Sequence, residues 1–262
     1  MKKHIPNIIT LLNLVSGACA CMMALWGQYQ GAFLFILAAA CFDFLDGFFA
    51  RLLHAYSDIG KELDSLCDLV SFGLAPSLMF VNWYLNAGHA VTALAYVALM
   101  VAAFSALRLA KFNLDSRQSV NFIGLPTPAA AMMISGFTAY AHMCKIMPVV
   151  SKATWLMNTT WFIPTVSIVT ALLLVSEIPM FSLKKKKISF RTAPTEALFF
   201  VTAAVILVIC IIFRRKGLGF FNGILPLAMS ISFVAYILMN IVALPATKRN
   251  CNERLEKDPQ EI

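Results

Sequence analysis

The stretch Cys41 to Gly73, CFDFLDGFFARLLHAYSDIGKELDSLCDLVSFG, holds six of the thirteen acidic residues of this 262-residue chain: Asp43, Asp46, Asp58, Glu62, Asp64 and Asp68. Asp43 and Asp46 are three apart, and Asp64 and Asp68 four apart, so on helices each pair shares one face. The Tyr56-Ser57-Asp58 turn between them lets two helices run antiparallel and bring the pairs together. The flanking residues are apolar enough to lie in a membrane, where a carboxylate costs about 2.5–3.5 kcal/mol, so four of them cost about 10 kcal/mol. That is comparable to the whole stability of a typical protein, about 5–15 kcal/mol. A hard divalent cation offsets such a cost, since Mg²⁺ takes oxygen ligands and is completed by substrate phosphates, and two ions can share four carboxylates. The plainer alternative is that these residues cap helices and pair with Arg51, Lys61 and Arg108.

Working outward, 60% of the chain is hydrophobic and 13% charged. Soluble domains run about 45–50% apolar and about 25% charged, which excludes a water-soluble globule. The net charge of +8 then orients helices against lipid headgroups rather than binding nucleic acid. The seven cysteines are odd in number and lie mostly in apolar runs, so they read as free thiols rather than a disulfide framework.

A spanning helix needs about 20 mostly apolar residues, and that template predicts an all-α polytopic transmembrane bundle of about eight spanning helices. They fall near residues 6–27, 31–53, 62–84, 90–112, 127–147, 160–181, 195–213 and 220–244. Pro148, Pro164 and Pro179, with the polar Asn158-Thr159-Thr160, interrupt the fifth and sixth. Residues 1–247 form one membrane domain and 248–262 a charged cytoplasmic tail. With the N-terminus inside, sixteen of the 21 Lys and Arg lie on the cytoplasmic side, which supports both termini inside. Arg214-Arg215-Lys216 is the misfit. Lys2-Lys3 before an apolar run looks like a secretory signal, but Asn7, Thr10 and Asn13 recur every three residues and put a polar stripe on one helix face, for which a cleaved segment has no use.

On the carboxylate helices, Gly47 and Ala50 share the face of Asp43 and Asp46, and their small size admits a ligand or another backbone. Arg51, one turn beyond Gly47, suits a phosphate, its guanidinium meeting two oxygens at once. The full pattern, Asp43-x2-Asp46-Gly47-x2-Ala50-Arg51-x8-Gly60-x3-Asp64-x3-Asp68, resembles at every position the signature of the CDP-alcohol phosphatidyltransferases. The resemblance implies that Asp43, Asp46, Asp64 and Asp68 hold Mg²⁺ or Mn²⁺, two ions in all, and that Asp68 also acts as the base on the acceptor hydroxyl. Gly47, Arg51 and Gly60 would line the CDP site together with Asn7 and Thr10, since Pro6-Asn7-x2-Thr10-x2-Asn13 is similar to the first helix of one subfamily.

That subfamily is the bacterial and archaeal membrane-bound phosphatidylserine synthases, which Arg108-Leu-Ala-Lys111-Phe112-Asn113 and Phe122-Ile-Gly124-Leu125-Pro126-Thr127-Pro128 also resemble. The resemblance extends from about residue 5 to 145. It implies CDP-diacylglycerol as donor and L-serine as acceptor, with Arg108, Lys111, Asn113, Gly124 and Pro126 at the acceptor site, in a multi-pass protein of the inner membrane whose site faces the cytoplasm. A homodimer is compatible with it. Arg108 and Lys111 sit at a cytoplasmic helix end, where a cation meets a carboxylate, or serve only as topology anchors. Gly124 to Pro128 builds a rigid corner or starts a helix. Charge alone does not separate serine from glycerol phosphate or inositol phosphate, and choline is a further acceptor for such enzymes. In a different class, intramembrane carboxylates also suit a divalent-cation transporter, which has no need of Gly47, Ala50, Arg51 and Gly60 at fixed spacing.

Overall fold

Hydropathy and length decide the elements. A computed structural model of the chain describes residues 4–55, 57–114, 122–146, 152–180, 194–212 and 220–257. Helices α1 (His4–Leu25), α2 (Tyr29–Leu52), α3 (Asp58–Asn86) and α4 (Thr92–Leu114) are each long and apolar enough to cross a bilayer. They are followed by α5 (Thr127–Ile146), a short α6 (Lys152–Met157), α7 (Phe162–Val175), α8 (Pro194–Ile212) and α9 (Leu225–Lys257). Exposed Ile8, Val15, Phe44, Leu52, Val169 and Leu172 give the bundle an apolar outer surface, the arrangement that lipid rather than water favours. The chain is an all-α polytopic membrane protein.

The sixth expected span, 160–181, is shorter than its hydropathy suggests. α7 has 14 residues, about 21 Å at 1.5 Å per residue, against a hydrocarbon core of about 30 Å. Pro164 fits in its first turn, where the missing N–H bonds nothing in any case. At the other end Ser176 turns extended, and Pro179–Met180 (β2) pairs antiparallel with Phe122–Ile123 (β1) in a two-residue ladder. Around the expected eighth span, a π-turn over Phe220–Ile224 leads into α9, which stays helical through residue 247 to Lys257. Arg214, Arg215 and Lys216 lie outside the described residues, as do Lys2, Lys3, Arg117, Lys184 to Lys187 and Arg191.

The α2–α3 turn is closed at both ends by local chemistry. His54 takes the left-handed conformation (φ 48°), Ala55 N–H bonds Ala50 O at 3.0 Å and His54 N–H bonds Arg51 O at 3.3 Å. This pair of bonds satisfies the last carbonyls of α2 in a Schellman arrangement. Ser57 then caps α3, its Oγ accepting from Gly60 N–H at 3.0 Å.

Within α3, Leu69–Leu74 forms a π-helical turn directly after Asp68. Pro76 brings no N–H to the ladder, and Ser77 Oγ donates to Gly73 O at 2.7 Å. The wide turn carries Ser71 toward α1, and only a glycine at position 17 leaves room: a Cβ there would stand 2.8 Å from Ser71 Cα. α1 packs along both α2 and α3, and α5 meets α9 by a similar close approach at Gly136, where a Cβ would lie 2.5 Å from Pro226 O.

The two ends of the bundle differ. The N-terminal parts of α1, α3 and α5 and the C-terminal parts of α2 and α4 share the carboxylate end, with Arg51, Lys61, Arg108 and Lys111. All four tryptophans of the chain gather at the other: Trp83 is buried, while Trp26, Trp155 and Trp161 are exposed. Such a belt marks a membrane–water interface.

Candidate active site

One oxygen of each of Asp43, Asp64 and Asp68 lies within 4.8 Å of the others. Asp43 comes from the last turns of α2, and Asp64 and Asp68 from successive turns of one face of α3. Asp68 is buried, and Asp43 and Asp64 are half-buried. Two like charges 4.8 Å apart repel by about 3 kcal/mol at an effective dielectric constant of about 20, so the triad calls for a cation. Its donors are all hard oxygens, the set that Mg²⁺ or Mn²⁺ takes and that softer metals do not prefer. The residues fit a divalent metal.

The sequence reading underrated α1. Thr10 Oγ1 donates to Asp46 Oδ2 at 2.7 Å, and Asn13 Nδ2 donates to Asp68 Oδ1 at 3.0 Å. Asn13 in turn is fixed by Ser71, whose Oγ donates to Asn13 Oδ1 at 2.7 Å. Asn13 and Ser71, both fully buried, therefore hold the carboxylate assigned the most chemistry, and neither was expected as a site residue. The signal was present for Asn13 in the three-residue spacing Asn7, Thr10, Asn13. Ser71 had none, because the π-turn that aims it is not written in the helical period. Asp46, on the face of Asp43, stands outside the close triad and is engaged by Thr10.

The expected CDP residues border this cluster. A Cβ on Gly60 would stand 2.9 Å from Ser57 Oγ and 3.1 Å from Asn7 Oδ1, so Gly60 lets α1 and α3 meet at Asn7. Gly47 has open space around it among the described residues, with only the guanidinium of Arg51 within reach of a Cβ, at 3.7 Å. Exposed Arg51 thus folds back along its own helix over Gly47, onto the face of Asp43.

The expected acceptor residues divide. Arg108 is buried, donates from Nη1 to Thr127 Oγ1 at 2.6 Å, and lies within electrostatic reach of Asp68. Its Nε has no hydrogen-bond partner among the described residues, and neither has Oγ of Ser105, fully buried one turn earlier on α4. Lys111 is exposed at the same end. Asn113 is used as a clasp: its amide donates to Ser65 Oγ at 3.0 Å, and its carbonyl accepts from Lys61 Nζ at 2.9 Å. Gly124 packs against the end of α7, where φ is +77° and a Cβ would meet Leu174 O at 2.6 Å. Pro126 O accepts from Ala129 and Ala130 N–H at the start of α5. These two shape a corner whose described link to Arg108 is Thr127. Six described cysteines are free thiols, with Cys67 buried beside the triad.

Residues 3–173 match the family model described as CDP-alcohol phosphatidyltransferase. The chain belongs to that family. The match takes in α1 to α5, with every carboxylate of the triad and Arg108. Among characterised relatives, the CDP-diacylglycerol–serine O-phosphatidyltransferase of Bacillus subtilis is 40% identical over 131 residues, 50% of this chain and 73% of the relative. The protein of the same name from Mycobacterium leprae is 34% identical over 210 residues, 77% of this chain and 65% of the relative. The archaetidylserine synthase of Methanothermobacter thermautotrophicus is 33% identical over 142 residues, 51% of this chain and 57% of the relative.

Proposed function

We propose that the chain transfers the phosphatidyl group of CDP-diacylglycerol to the hydroxyl of L-serine, giving phosphatidylserine and CMP. The observation that carries this reading is a buried guanidinium, Arg108, whose Nε has no partner among the described residues and which lies within electrostatic reach of Asp68 of the carboxylate triad. A buried cation of this kind suits the carboxylate of an amino-acid acceptor. Serine as that acceptor is supported by the relatives named as serine O-phosphatidyltransferases.

Asp43, Asp46, Asp64 and Asp68 would hold two Mg²⁺ or Mn²⁺ ions, whose chemistry would be to neutralise the pyrophosphate of the donor and draw electron density from its phosphorus. Arg51 adds a guanidinium over Gly47, where the open backbone admits the phosphates, and Asn7, Thr10 and Gly60 border the nucleotide. Exposed Phe44 and Phe48 on α2 offer the acyl chains a surface. Arg108, with Thr127 orienting it, takes the serine carboxylate, and Lys111, Asn113 and the Gly124 to Pro126 corner complete that side. Asp68, oriented by Asn13, accepts the proton of the serine hydroxyl. The serine oxygen bonds to the phosphorus that carries diacylglycerol as the bond from that phosphorus to the CMP oxygen breaks, and CMP leaves with the electron pair. The protein lies in the cytoplasmic membrane with the carboxylate end inward, in line with the excess of Lys and Arg on that side.

The test is CMP release from CDP-diacylglycerol by purified protein in detergent with Mg²⁺ or Mn²⁺, with serine, glycerol 3-phosphate, inositol phosphate and choline in parallel. Release with serine alone is expected. Release with another alcohol only would overturn the acceptor, and none with any would overturn the reaction.

A further inference from the structure

At the tryptophan end of the bundle, a cavity of about 400 Å³ opens between the α1–α2 turn and the C-terminal ends of α3 and α5. Tyr29, Trp83, Asn86, His142 and Lys145 line it. From Tyr29 to Asp46 on α2 is 17 residues, about 26 Å of helix, so this cavity and the carboxylates sit near opposite faces of a membrane about 30 Å thick. Nothing in the phosphatidyl-transfer reading uses it.

Its walls are fixed by a hydrogen-bonded frame. Tyr29 and Trp83 are buried, with ring centroids 5.2 Å apart, and His142 meets Tyr29 edge-on at 4.9 Å. Asn82 Oδ1 accepts from Tyr29 Oη at 2.6 Å and from Asn86 Nδ2 at 2.9 Å, and Trp83 Nε1 donates to Asn158 Oδ1 at 3.1 Å. Gln30 Nε2 points to Ala139 O at 3.5 Å, so Gln30 Oε1 is an acceptor and His142 Nδ1, 2.8 Å away, is the nitrogen that carries hydrogen. Nε2 of His142 is left for the cavity as an acceptor, suited to a hydroxyl of the ligand rather than to a phosphate oxygen.

The charge of this frame is one-sided. Lys145 contributes an ammonium whose Nζ lies over the Trp83 ring, 5.6 Å from its centroid, and no acidic residue is among those lining the cavity. The contact with the indole face places the ammonium at the cavity. An ammonium held at the rim and the amide of Asn86, in a lining without an acidic residue, suit a phosphate. The volume, within the roughly 300–1,000 Å³ of ligand pockets, is more than inorganic phosphate fills and accommodates a phosphodiester with its glycerol. Exposed Trp26, Trp155 and Trp161 at this end set the cavity at headgroup level.

We propose that this cavity binds the phosphodiester headgroup of a phospholipid in the leaflet opposite the carboxylates, with Lys145 as its cation.

The test uses the full chain carrying W26F, W155F and W161F, so that Trp83 is the only tryptophan, in a maltoside detergent that has no phosphate. Its fluorescence is followed on titration with dioctanoyl phosphatidylglycerol, with dioctanoylglycerol, and with inorganic phosphate. A saturable change with the phosphatidylglycerol is expected, with the other two weaker by about tenfold or more, and K145Q weakening the phosphatidylglycerol by about tenfold or more. K145E, which sets a carboxylate in place of the ammonium, is expected to weaken it further. Lys145 is exposed, so both variants leave the packed bundle and its hydrogen-bonded frame intact. Equal response to dioctanoylglycerol, or unchanged affinity in both variants, would overturn the phosphate site and leave an interfacial anchor. Inorganic phosphate binding as tightly as the lipid would overturn the headgroup. No turnover is read, so the result is independent of the chemistry at the carboxylate end.

Discussion

Asn13 offers the sharpest test of how the site works. Its Nδ2 donates to Asp68 Oδ1 at 3.0 Å, and both side chains are buried. A hydrogen bond to a charged group in such a place contributes about 1.5–3 kcal/mol. Asn13→Ala removes it without stranding Ser71, because Ser71 Oγ also donates to the Asn13 backbone carbonyl at 3.1 Å. Taking about 2 kcal/mol, misorientation of the base predicts a fall in kcat of about 30-fold. Asp68→Asn removes the base itself, with a loss of about 10²–10⁴. If Asn13 acts through Asp68, the double variant falls only as far as Asp68→Asn alone, which double-mutant analysis of CMP release reads directly. Wild-type kcat in Asn13→Ala, or losses that multiply in the double variant, would refute the positioning role.

Further outcomes follow from the same geometry. Gly17→Ala drives a methyl into the backbone of Ser71 and is expected to destabilise the protein by about 1–3 kcal/mol, seen as a lower thermal midpoint in detergent. Arg108→Lys keeps the charge but loses the planar fork that meets both Thr127 and a carboxylate. It should raise the KM for serine about tenfold or more while leaving that for CDP-diacylglycerol little changed, and equal effects on both would refute an acceptor role. Asp43→Asn opens the triad at its α2 corner and should raise the Mg²⁺ or Mn²⁺ concentration for half-maximal CMP release, with part of the rate restored at high metal. Chelation of metal from the wild-type protein should abolish release and addition restore it.

Composition excluded a soluble protein, and apolar run lengths located the helices to within a few residues for α1 to α5. Where hydropathy overreached, at α7, the reason is that Ile178 and Met180 keep a window apolar beyond Val175, while the chain turns extended at Ser176 and Pro179–Met180 pairs with β1. The carboxylate pairs and Gly47 were readable because residues three and four apart on a helix must share a face. That rule is local. It says which side chains stand together and not which helix they meet.

The sequence by itself therefore determined the membrane class, the acidic pairs and the signature that names the family. Tertiary structure alone decided that α1 is the element bringing Thr10 to Asp46 and Asn13 to Asp68, and that Thr127 holds Arg108. It also decided that the lysine of α5 lies over the tryptophan of α3 at the far end. Each of these depends on how closely two helices approach, as Gly17 against the π-turn shows for α1 and α3, where Asn13 meets Asp68. Close approach is a property of paired surfaces, which a single helix's period does not contain.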